Sequence, residues 1–61
     1  MKIPAGFRFS TREAQELGII NTLILASDEE IEAITKAAIA IFEASEGVSF
    51  TYCIAQAIKA Q

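Results

Sequence analysis

The side chains with chemistry to offer fall into three groups: carboxylates, two arginines near the start, and one thiol. Glu13 and Glu16 stand three apart, close enough on a helix to approach each other as an acid/base pair. A solvated helix face explains them far more cheaply. Asp28, Glu29, Glu30 and Glu32 are the densest acidic run. Calcium would want such oxygens alternating along a loop around a central glycine, whereas this run opens a helix. The chain has no histidine, which removes the commonest general base and transition-metal ligand. Cys53 is the only cysteine. It cannot close an internal disulfide or build a structural zinc site, and no histidine stands by to activate it. It reads as a buried, inert thiol, an intermolecular disulfide being the sharper alternative. Tyr52 and Ser49 lack an evident base. The residues thus predict no catalytic site, no metal and no cofactor, and the chain reads as not an enzyme.

Arg8, Ser10, Thr11 and Arg12 make the one cluster suited to an anion. They sit where the first helix begins and backbone amides point outward, a geometry that receives phosphate. The glycine spacing of a phosphate loop is missing. A helix cap with flanking arginines explains the same residues. The net charge of −3 and a pI near 4.6 disfavour general nucleic-acid or acidic-membrane binding, which need a positive field.

The elements that position these groups read as helices. Residues 1–9 form an irregular or extended arm punctuated by Pro4 and Gly6. The segment does not read as a signal peptide, since Pro4 and Gly6 stand soon after Lys2 where an apolar core would be expected. The first helix is expected over about 11–26, opened by a capping box in which Ser10 and Glu13 exchange bonds. Gly18 is its weak point, either tolerated inside the helix or ending it, in which case Ile19 to Ala26 is a fresh helical turn or a buried strand. The second helix, about 28–46, opens on a capping box at Ser27-Asp28-Glu29-Glu30, with carboxylates suited to the dipole, and stops at Gly47. The third spans about 50–60. Leu17, Ile24, Ile31, Ile34, Ala38, Ile41, Phe42, Ile54 and Ile58 are the expected core. The fold class is all-α: one small three-helix domain over 1–61.

Helix two carries the most telling pattern. Ile31, Ile34, Ala38, Ile41, Phe42 and Ser45 share one stripe, and Ala33, Ala37, Ala40 and Ala44 form a second beside it. Together they span roughly 200° of arc, wider than the stripe of somewhat over 100° that a surface helix buries. With 61 residues, 52% of them hydrophobic, and a mean hydropathy of +0.38, the chain has little interior in which to hide this surface. The Ala stripe, with Ile19, Leu23 and Ile39, is therefore the expected protein interface. Its partner is a second copy, as a dimer or higher oligomer, or another protein.

Helix two, Gly47 and helix three also have the outline of a helix-turn-helix. That motif wants a small residue four before the glycine and aliphatic residues six and nine after it. Glu43, Cys53 and Gln56 stand there, so the match is poor. Thr51, Tyr52, Gln56 and Lys59 would form the reading face. No apolar run approaches the roughly 20 residues of a membrane span. The residues together predict a small cytoplasmic helical module that acts by self-association or by binding a protein, as a regulator or inhibitor. DNA regulation and binding of a small phosphorylated ligand are the alternatives.

Overall fold

Ser10, Ser27 and Ser49 each precede a helix, and each hydroxyl accepts from an amide three residues on. These caps set the frame of the fold. The computed structural model describes residues 7–60, so Lys2, Pro4, Gly6 and the rest of the expected arm before Phe7 lie outside the described residues. Four helices follow: α1 (Thr11–Leu17), α2 (Ile20–Leu25), α3 (Asp28–Ala44) and α4 (Phe50–Lys59). The described residues contain no strand, and Phe7–Ser10 are irregular. The all-α expectation holds, with four helices in place of three.

The expected helix over 11–26 is broken at Gly18, and the break has a defined geometry. Gly18 takes the left-handed conformation, φ 74° and ψ 25°. Its amide donates to the Gln15 carbonyl at 3.1 Å, and the Ile19 amide reaches back to the Ala14 carbonyl at 3.1 Å. This pair of bonds is a Schellman termination, and it satisfies carbonyls that a helix end would leave bare. Ile19 and Ala14 both belong to the buried core. A Cβ at Gly18 would meet nothing within 4 Å, so only the backbone conformation demands glycine. Gly18→Ala is therefore expected to lower stability by about 1 kcal/mol. Gly18→Asn should cost less, since asparagine tolerates this region. Urea melts of the two variants test the ordering.

The chain restarts at Ile20 without a side-chain cap, and α2 lasts only six residues before Ala26 is extended. The restart changes which residues face inward. Ile19 and Leu23 join the core, whereas Leu17, Ile24 and Leu25 are exposed. An unbroken helix would have buried Leu17 and Ile24 instead.

The second capping box is complete: the Ser27 hydroxyl accepts from the Glu30 amide, and the Glu30 carboxylate from the Ser27 amide. Helix α3 ends at Ala44, two residues short of the expected boundary, with Ser45 extended and Gly47 at φ 77°. The link to α4 is consequently residues 45–49, longer than the three or so residues read from the sequence. Ile34 and Ala38 of α3 are buried, while Ile31, Ile41 and Phe42 are half-buried.

Helix α4 sits at the centre, packed most extensively on α3 and then on α1. Phe50, Thr51, Cys53, Ile54, Ala55 and Ala57 are all buried, and Ile58 is half-buried. Phe50 meets Phe7 with ring centroids 4.6 Å apart and Phe42 at 6.0 Å. Phe7 and Phe42 complete the cluster edge-on at 5.2 Å. The radius of gyration of 10.4 Å matches the roughly 10.5 Å of a compact chain of this length. The inner stripe of α3 is thus covered from within the chain by α4.

Candidate functional site

Helix α2 brings together the most exposed large apolar side chains. Ile24 is 72% and Leu25 84% exposed. Beside them runs an open groove of about 640 Å³ between α2 and the start of α3. Ile20, Leu23 and Ile24 line it from α2, Ile31 and Asp28 from α3, and Phe9 from the N-terminal segment. The cause lies in the local sequence. Gly18 turns the chain, the short α2 buries Leu23, and the cap at Ser27 then turns the chain into α3. Six residues cannot place Ile20, Leu23, Ile24 and Leu25 all against one neighbour, so two are left outside.

The expected interface residues separate into two sets. Ala33, Ala40 and Ala44 are exposed on the outer face of α3, uncovered by any described residue, and Ala37 and Ile39 are half-buried. Ile19 and Leu23 were expected as surplus apolar surface, and this is corrected: they are buried at 6% and 9% exposure. The Schellman turn redirected them inward and put Ile24 and Leu25 outside. Sequence reasoning missed Leu25 as a surface residue because it assumed one continuous helix. The signal that could have found it was Gly18 itself, followed by apolar residues with no charge until Asp28.

The anion-site residues do not converge. Arg8 and Ser10 line a depression of about 600 Å³ beside Phe7, Phe42 and Phe50, and the Glu13 carboxylate lines it too. Thr11 lines the apolar groove instead. Arg12 lies 3.8 Å from Glu16 in an exposed pair. The amides are largely spoken for. Ser10 donates to the Thr51 hydroxyl at 2.9 Å, and Glu13 donates to the Ser10 hydroxyl at 3.2 Å. The expected reciprocal arm of the first capping box is corrected: the Glu13 carboxylate accepts from the Ser49 hydroxyl at 2.8 Å. A tertiary partner displaced the local one because α4 begins alongside α1. Glu13 and Glu16 thereby have different partners, Ser49 and Arg12.

On α4, Thr51 was expected on the outward reading face, and it is buried, as is Ala55. The helix is enclosed by α3 and α1 over more of its circumference than one apolar face would suggest. Tyr52 and Lys59 remain exposed, and Gln56 half-buried, on the supposed reading face. Cys53 is fully buried and free. Burial pushes its thiol above the ordinary value of 9.0, so it stays protonated at neutral pH. Among the described residues no group of three or more potential metal ligands comes together, and no helix is long and apolar enough to cross a membrane.

Comparison with protein-family models, with curated proteins and with solved structures finds no match.

Proposed function

We propose that this chain is a helical protein-interaction module that works by presenting the apolar edge of α2, with the adjoining groove, to another polypeptide. One observation carries the reading: Ile24 and Leu25 stand 72% and 84% exposed beside an apolar groove. A single exposed leucine is ordinary, but adjacent aliphatics continuous with an apolar depression are the kind of surface that marks an interaction site. Burying one such side chain contributes about 1.5–3 kcal/mol. The outer alanines of α3 would allow a second helix to approach closely, and they are kept here as a secondary contact.

Replacement of Leu25 by photo-crosslinking benzoylphenylalanine, followed by irradiation in the native cell, tests the proposal. A discrete adduct to a polypeptide is expected from position 25. The same replacement at Tyr52, on α4, is expected to give none. Absence of an adduct from position 25, or the same adducts from both positions, would overturn the reading.

A further inference from the structure

We infer that the partner at the α2 groove is a basic amphipathic segment of another polypeptide, with aliphatic side chains on Ile24 and Leu25 and lysine or arginine side chains at the corner where α2 ends and α3 begins. The inference rests on the proposed function and names the chemistry of its partner. Apolar surface alone does not choose between occupants. The charges and hydrogen-bonding groups on the rim of the groove do.

The start of α3 is the first of these. Asp28, Glu29 and Glu30 crowd its first turn, and all three are exposed. The positive end of a helix dipole amounts to roughly half an elementary charge, too little to balance three carboxylates. Glu30 accepts from the Ser27 amide at 3.3 Å. Asp28 and Glu29 have no ion pair among the described residues, where Arg12 pairs with Glu16 and Lys36 with Glu32. Asp28 lines the groove, and none of the described lining residues is basic. The rim is therefore negative and unbalanced.

The end of α2 is the second. Its last turn carries no basic residue, and Ala26 leaves it in extended conformation. Among the described residues, no backbone amide outside the helix donates to the carbonyls of that turn. Lysine and arginine serve such carbonyls at many helix ends. Ala26 and Asp28 both line the groove, so these carbonyls and carboxylates share one corner of it. A cationic side chain suits both, whereas an acidic one suits neither. The neighbouring aliphatics fix the rest of the partner. Ile24 and Leu25 are 72% and 84% exposed beside this corner, and a partner that brought charge alone would leave them in water. A segment with aliphatic side chains next to its basic ones covers both features, as amphipathic helices laid into grooves do.

Fluorescence anisotropy of the full chain with three labelled synthetic peptides tests the inference. The first peptide carries leucines at helical spacing flanked by lysines. The second has glutamate in place of every lysine, and the third has serine in place of every leucine. The first is expected to bind, more weakly as salt rises. The second and third should each bind about tenfold more weakly, a factor that a few exposed ion pairs or one buried leucine can supply. Asp28→Asn combined with Glu29→Gln is expected to erase most of the preference for lysine over glutamate. Glu43→Gln combined with Glu46→Gln removes the same charge from exposed positions at the other end of α3 and just after it, and should leave the preference intact. Failure of the first peptide to bind overturns the inference, as does equal binding of the lysine and glutamate peptides. Equal loss of preference in the two double variants, or a serine peptide that binds as tightly as the first, also overturns it. The two readings fail separately. An adduct at position 25 of twice the chain's mass, or one to a segment without lysine or arginine, removes the basic partner and leaves the interaction module. No adduct at that position removes both.

Discussion

Phe50→Ala is expected to leave the chain largely unfolded at 37 °C. Phe50 is 2% exposed at the first position of α4, with Phe7 on one side and Phe42 on another. Its removal breaks both ring contacts and opens a cavity where the N-terminal segment, α3 and α4 meet. Large-to-small changes of this kind cost about 3–5 kcal/mol. A domain of 61 residues has of the order of 3–9 kcal/mol in total at typical stability per residue. The loss is therefore comparable with everything the fold has. Urea melts followed by far- and near-ultraviolet circular dichroism measure it. Tyr52→Ala, two residues on and 41% exposed, is expected to stay within about 0.5 kcal/mol of wild type. Equal effects at the two positions would contradict the central placement of α4.

Helix starts were legible in this chain because caps are local chemistry. Ser10 and Ser27 announce helices through hydroxyls and a Glu three residues on, and both accept the amides expected of them. Helix ends were less legible. Gly18 allowed two continuations of similar cost, a mid-helix glycine or a left-handed termination, and only tertiary packing of Ile19 and Leu23 separates them. That one choice turned the whole of α2 about its axis and moved the exposed apolar surface from Ile19 and Leu23 to Ile24 and Leu25. The central place of α4 was hidden for a different reason. Thr51 and Ala55 are small or weakly polar, so their burial beside Cys53 and Ala57 does not register as a broad apolar stripe. The outer Ala stripe of α3 could be read because its geometry depends only on helical periodicity. Whether a small side chain on that face meets a partner is not a property periodicity contains.

The placement of α4 also makes Thr51 the polar residue on which the N-terminal segment depends. Thr51 is 1% exposed, and its hydroxyl accepts the Ser10 amide at 2.9 Å, across 41 positions of chain. Thr51→Val keeps the shape and deletes the acceptor. The Ser10 amide would then lack its partner, at a cost of about 1–3 kcal/mol. Thr51→Ser restores an acceptor and removes a methyl group, so it should recover part of that loss. Hydrogen exchange distinguishes a lost bond from poorer packing. With valine, protection of the Ser10 amide should fall well beyond the global change, whereas with serine it should follow the global stability. The consequence extends to the apolar groove. Ser10 follows Phe9, which walls that groove, and Phe7, two positions before Phe9, docks on Phe50. Loosening the Ser10–Thr51 tie should therefore broaden the Phe9 ring signals and weaken any contact made at the groove. An unchanged Phe9 environment in Thr51→Val would show that the aromatic cluster alone holds the segment in place.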